Sequence, residues 1–274
     1  MSVMRRIKNL SQYCVCYYRI ALDRMLNRIN SFIPPAFLMF DGPCDEATFR
    51  KNGEEFLGYY KTLCGLKPDE RMLDVGCGIG RKTFLLTEYL NEKGGYDGLD
   101  IVDIGIIWCK EKISAKFPNF RFQRADVFNT FYNPKGRFKA SEYRFPFDND
   151  SFDFVVLGSV FTHMLPQDVE NYLSEISRVL KKGGRCMISY FIMNREASEL
   201  TLQKKCILNF KYRMEGYTTT NKETPEDAVC YDESYVLDLY RKNGLIINEP
   251  IRFGNWCERK NFLSFQDLVI AAKG

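Results

Sequence analysis

The chain has 274 residues, 45% of them hydrophobic and 27% charged, with a formal net charge of +4, an ordinary globular composition. One histidine against ten cysteines excludes zinc-ligand arithmetic, and scattered cysteines without a C-x-x-C pair point to reduced thiols in a cytosolic protein, not a disulfide scaffold. No run approaches the ~20 apolar residues that cross a bilayer, and the stretch 11–20, interrupted by Gln12 and Arg19, is no signal peptide.

Residues 5–30 place Ile7, Leu10, Cys14, Tyr17, Ala21, Met25 and Ile29 at helical spacing, which predicts a helix with one apolar stripe. The same stretch holds Arg5, Arg6, Lys8, Arg19, Arg24 and Arg28 against Asp23 alone, so it carries +5 and the remainder about −1. Basic charge gathered in one extension, not spread along a working face, argues against a nucleic-acid partner. Pro34-Pro35 breaks the helix, and a second helical stretch over 46–63 ends before Gly65 and Pro68. These two make a helical extension over 1–64.

From residue 71 strands and helices alternate, which signals βαβ units and a parallel sheet. Strands are predicted at 71–75, 96–100, 119–123, 152–157 and 185–191, with helices at 82–92, 104–116 and 167–180 between them. A polar segment at 194–230 follows, then a helix at 233–243 and strands at 245–252 and 264–271. The last two strands are joined by a loop alone, which predicts an antiparallel pair, since parallel neighbours need a crossover. The expected fold is a doubly wound α/β domain over 65–274. Its seven-stranded sheet is mostly parallel with an antiparallel last strand, and it carries insertions at 127–146 and 194–230.

The strongest local signal is Leu73-Asp74-Val75-Gly76-Cys77-Gly78-Ile79-Gly80, a strand running into glycines and then a helix. The third glycine comes one residue earlier than in the dinucleotide fingerprint. Asp74, two residues before the first glycine, disfavours a pyrophosphate and suits the ammonium of S-adenosylmethionine, directly or through water. Asp100 ends the second strand, where a carboxylate can accept from ribose hydroxyls. Asp126, after the third strand, is placed to accept from an adenine amino group.

On LDVGCGIGR (73–81), GLDIV (98–102), ADVFN (125–129), FPFDNDSFDFVVLGSVFTHM (145–164) and YLSEISRVLKKGG (172–184), the chain resembles the class I, Rossmann-like S-adenosylmethionine-dependent methyltransferases, especially those acting on small molecules. The resemblance covers about 66–193. It implies S-adenosylmethionine as cofactor, bound through Asp74, Gly76, Cys77, Gly78, Gly80, Asp100, Ile101, Asp126 and Val127, with Ser159 and Val160 lining the pocket. The family's L-K-P-G-G turn has Lys182 here in place of proline, which leaves the turn less rigid.

His163, the single histidine, lies just past the fourth strand, at the carboxyl edge where open α/β sheets bind ligands. Imidazole suits a general base near neutral pH. The other reading is a residue that packs on or positions the ligands while alignment of nucleophile and sulfonium does the chemistry. No second histidine or acidic cluster adjoins it to bind a metal. Tyr132, Asn194, Trp256 and Arg259, on the insertions and the final loop, are candidates for the acceptor site, because rings beside amide and guanidinium groups suit a sugar or a flat aromatic. A looser likeness to bacterial glycan and glycolipid methyltransferases points the same way. The expectation is methyl transfer to a hydroxyl of a small molecule, glycan or glycolipid. The alternatives are methylation of nitrogen, carbon or an RNA base, and a non-enzymatic binding subunit. The basic stretch 1–30 is expected to cap the domain, touch anionic lipid peripherally or meet a partner.

Overall fold

The structure, a computed structural model, describes residues 32–203 and 206–274 together with Tyr18, Ala21, Leu22 and Met25. Of the helix expected over 5–30, those four residues are helical, and the rest, with all of its basic side chains, lies outside the described residues. Two compact units divide the chain, one of residues 1–126 and 130–133, the other of 127–129 and 134–274.

In the first unit, helix α1 (Glu46–Thr62) starts at Asp45, whose side chain accepts the Thr48 N–H at 2.8 Å, a cap that satisfies one of the helix's unpaired donors. It buries Phe49, Gly53 and Tyr60. A Cβ at Gly53 would overlap the Phe84 ring, so glycine permits this close approach. Strand β1 (Arg71–Val75) pairs in parallel with β2 (Gly95–Asp100), from Arg71 opposite Gly95 to Val75 opposite Leu99. The helix expected over 82–92 is only a short 3-10 turn, Phe84–Glu88. The buried Thr87 hydroxyl donates to the Phe84 carbonyl at 2.6 Å, and such local bonds compete with a regular helix. Helix α2 (Asp103–Cys109) continues as a π-turn over Lys110–Ser114, and β3 (Phe120–Arg124) pairs in parallel with β2.

In the second unit, β4 (Phe152–Leu157) leads to helix α3 (Pro166–Val179), which buries Val169, Tyr172, Leu173 and Ile176 on one stripe. β5 (Leu180–Tyr190) pairs in parallel with β4. The expected insertion over 194–230 is not strandless. β6 (Ile192–Met193), helix α4 (Arg195–Leu202), β7 (Tyr212–Arg213), β8 (Tyr217–Thr219) and β9 (Val229–Asp232) build a second, four-stranded sheet in the order β6-β9-β8-β7. Beneath it lies a cluster that includes Phe191, Phe210, Cys230 and Trp256. Helix α5 (Glu233–Lys242), β10 (Leu245–Ile247) and β11 (Asp267–Lys273) complete the chain.

The seven longer-range strands follow the order β10-β11-β5-β4-β1-β2-β3. β11 is antiparallel to both β5 and β10, so this is the mostly parallel sheet with a reversed last strand that the sequence predicts. Among the described residues every cysteine is free, and no helix is long and apolar enough to cross a membrane.

Candidate active site

Gly76, Gly78 and Gly80 follow β1 with φ of 85°, 57° and 84°, a left-handed run that side chains resist. The Gly76 and Cys77 N–H groups both donate to the Leu99 carbonyl, at 2.7 and 3.2 Å, which sews the loop to the end of β2. Asp100 closes the other side: one carboxylate oxygen accepts the Gly78 N–H and the other the Val102 N–H, each at 2.8 Å. Burial raises the Asp100 carboxyl to about 6, against the lowering effect of those two backbone bonds.

Asp74, at 1% exposure, accepts the Tyr96 hydroxyl on Oδ2 at 2.8 Å. Its Oδ1 is buried without a partner. Burial raises this carboxyl also to about 6, while Lys82 and the Tyr96 hydroxyl pull it down. An unpaired buried carboxylate oxygen is costly unless a ligand supplies the donor. An ammonium does so, and a pyrophosphate would add repulsion. The residues present therefore fit S-adenosylmethionine.

Sequence reasoning missed Asp41. Its Oδ2 accepts the Ile79 N–H at 3.3 Å, and its Oδ1 accepts Arg81 Nε and Nη2 at 3.3 and 3.2 Å. A Cβ on Gly78 would overlap the Asp41 carboxylate. The Arg81 side chain, 3% exposed, also donates from Nη2 to the Pro43 carbonyl at 3.0 Å and lies 4.8 Å from the Phe49 ring. Of the remaining residues expected here, Cys77 is buried with its thiol pushed well up by burial, Ile101 is half-buried, and Asp126 lies 3.9 Å from Arg124.

In the second unit, Val127 is buried and bridges to Phe138. Ser159 has φ 66°, an uncommon conformation for a residue with a side chain. Its N–H donates to Ser189 Oγ at 2.7 Å, and both serine hydroxyls donate to Gln266 Oε1, at 2.9 and 2.7 Å. Val160 follows, half-buried. His163 ends a 3-10 turn (Phe161–His163), with Nδ1 2.9 Å from the Glu226 carbonyl oxygen. A carbonyl only accepts, so Nδ1 carries the proton and Nε2 presents the lone pair.

Three of the four expected acceptor residues, Trp256, Arg259 and Asn194, are tied to one another through Asp267 and Arg259. Trp256 is 0% exposed, donates Nε1 to Asp267 Oδ2 at 2.8 Å and packs edge-on against Phe191 and Phe210. Buried Arg259 bonds Asp267, the Gly254 carbonyl, Glu196 and Asn194. Asn194 caps α4 by accepting the Ala197 N–H at 2.9 Å. These three form an interior node around Asp267, because buried indole and guanidinium donors need an anionic partner. Tyr132 is 51% exposed and belongs to the first unit.

The family model for a methyltransferase domain matches residues 66–244. Among curated relatives, arsenite methyltransferase of Mus musculus is 32% identical over 142 residues, covering 50% of this chain and 36% of the relative. Demethylmenaquinone methyltransferase of Bacillus cereus is 26% identical over 152 residues, 56% of each. The chain thus spans less than two thirds of either relative. A solved S-adenosylmethionine-dependent methyltransferase of Methanosarcina mazei matches with TM-score 0.51 at 21% identity, over 76% of this chain and 94% of the other. The Burkholderia thailandensis 1,6-didemethyltoxoflavin-N1-methyltransferase, solved with its acceptor and S-adenosylhomocysteine, matches with TM-score 0.52 at 19% identity, over 84% and 79%. At these identities the structures speak to the fold.

Proposed function

The chain belongs to the methyltransferase domain family, and from that premise we propose that it methylates a hydroxyl of a small molecule, glycans and glycolipids included, with His163 as general base. It is an S-adenosylmethionine-dependent enzyme. In this reading Asp74 receives the ammonium of the cofactor on Oδ1, the backbone of Gly76, Cys77, Gly78 and Gly80 lets the ligand approach, and Asp100, Ile101, Asp126, Val127, Ser159 and Val160 contribute further contacts. Bound S-adenosylmethionine supplies an electrophilic methyl group on a sulfonium.

The observation that carries the proposal is the His163 contact. The Glu226 carbonyl holds the proton on Nδ1, so Nε2 can take the proton of an acceptor hydroxyl as its oxygen attacks. A hydroxyl is a weak nucleophile while protonated, and a positioned base is typically worth ~10²–10⁴-fold in rate. The imidazolium that forms keeps its Nδ1–H on the Glu226 carbonyl, which supports the new charge.

The test uses methyl-labelled S-adenosylmethionine and a panel of sugars and phenols, with His163→Ala beside the wild type. The variant should bind S-adenosylhomocysteine normally and turn over about 10²-fold more slowly. Relatives named for arsenite and demethylmenaquinone favour a second reading, an acceptor other than a hydroxyl. Undiminished turnover in His163→Ala supports that reading and refutes the first.

A further inference from the structure

The segment before α1 is tied across the glycine loop by charge. Asp41 takes the Ile79 N–H and the Arg81 guanidinium, and Arg81 also holds the Pro43 carbonyl. In the same cluster two buried polar atoms of opposite charge, Asp74 Oδ1 and Arg81 Nη1, have no hydrogen-bond partner. Asp41, Asp74 and Asp100 all act electrostatically on Lys82, as does Arg81. The thiols of Cys77 and Cys109 are pushed well up by burial and by these carboxylates, so they stay neutral. Asp45 also acts electrostatically with Arg81, so the carboxylates around the loop outnumber Arg81 and Lys82.

The methyl donor carries a carboxylate, an ammonium and a sulfonium, net +1. Its demethylated product has a neutral thioether in place of the sulfonium and is net zero. A fixed negative field in a water-poor site attracts the first more than the second. We propose that Asp41, bound to the loop through the Ile79 N–H, is a selectivity residue that favours the sulfonium donor over the thioether product. Asp74 and Asp100 are bound into β1, β2 and the loop backbone. Asp41 reaches the loop from outside the sheet and supplies the carboxylate that tips the balance. The inference rests on use of the cofactor and is independent of which acceptor is methylated.

Calorimetry at pH 7.5 with S-adenosylmethionine and S-adenosylhomocysteine, on the full chain, tests it. Asp41→Asn should cost about tenfold in affinity for the donor, about 1.4 kcal/mol, and far less for the product. Asp41→Glu, which keeps the charge, should retain the wild-type ratio. Because Asp41→Asn strips Arg81 of its counter-ion and can unfold the loop, Arg81→Gln provides the opposite sign. It makes the loop more negative and should raise the donor-to-product affinity ratio. Equal losses for both ligands in Asp41→Asn would make the segment a structural strap. Equal gains would make the Asp41 carboxylate a plug, and a ratio unchanged or lowered in Arg81→Gln would remove the electrostatic argument. Each of these results overturns the proposal.

Discussion

Cofactor affinity should depend on pH through the two buried carboxyls beside the glycine loop. Asp74 and Asp100 are each raised to about 6, chiefly by burial. Each is therefore mostly protonated at pH 5 and mostly ionised at pH 7. The groups facing them are Asp41, which raises both further, and Lys82 and the Tyr96 hydroxyl, which lower Asp74. A cationic ligand needs the ionised forms, so affinity should fall as pH drops through about 6. One unit below its pKa a carboxyl is roughly 10% ionised, so each group that must ionise costs about tenfold. Between pH 7 and pH 5 the loss should reach about tenfold if one carboxylate is required and about 100-fold if both are. The linkage has a second face. A raised carboxyl makes its contribution to stability fall as pH climbs from about 4 through 6, and a bound cation offsets that loss. Stabilisation by S-adenosylmethionine in a thermal melt should therefore be larger at pH 7 than at pH 5. Calorimetry at pH 6 in buffers of different ionisation enthalpy should register proton release on binding. An affinity flat from pH 5 to pH 7, without proton release, would refute the assignment of these carboxylates to the ligand.

Gly78→Ala should weaken binding of S-adenosylhomocysteine and cost about 1–2 kcal/mol of stability, because the residue sits at φ 57° and the new methyl overlaps Asp41; calorimetry and urea titration would check both. Trp256→Ala should lower the urea midpoint by an amount equivalent to about 3–5 kcal/mol, as for a large core residue, and leave cofactor affinity intact. Lost turnover at unchanged stability would instead restore Trp256 to the acceptor site.

The main sheet was legible because six of its seven strands are five residues or longer and mostly buried, so apolar runs bounded by turns mark them. The loop Gly76–Gly80 and the acids Asp74 and Asp100 were legible because their chemistry depends on local spacing. The second sheet was not: Ile192–Met193, Tyr212–Arg213 and Tyr217–Thr219 are too short to set up an alternation. Asp41 escaped notice because its partners Ile79 and Arg81 lie 38 and 40 residues away, and nothing local distinguishes Phe40-Asp41-Gly42-Pro43 from a solvated turn. Trp256 and Arg259 looked like loop furniture for a ligand. Their meaning depends on Asp267, whose buried carboxylate collects the indole, the guanidinium and the N–H groups of Gly254 and Ile192. Thr83 and Thr87 gave the opposite error, since a helical pattern over 82–92 conceals side chains that bond elsewhere, Thr83 with the Tyr96 hydroxyl and Thr87 with the Phe84 carbonyl.

The acid-lined glycine loop, with Asp74 Oδ1 buried and unpartnered, suits S-adenosylmethionine and not a dinucleotide. Calorimetric titration of the same preparation with S-adenosylmethionine, S-adenosylhomocysteine and NAD tests this directly, with Asp100→Ala as the control. Single-site binding of the first two is expected, with none of NAD and loss of both nucleoside ligands in the variant, since Asp100 anchors the Gly78 and Val102 N–H groups. Saturable binding of NAD with S-adenosylmethionine ignored would contradict it.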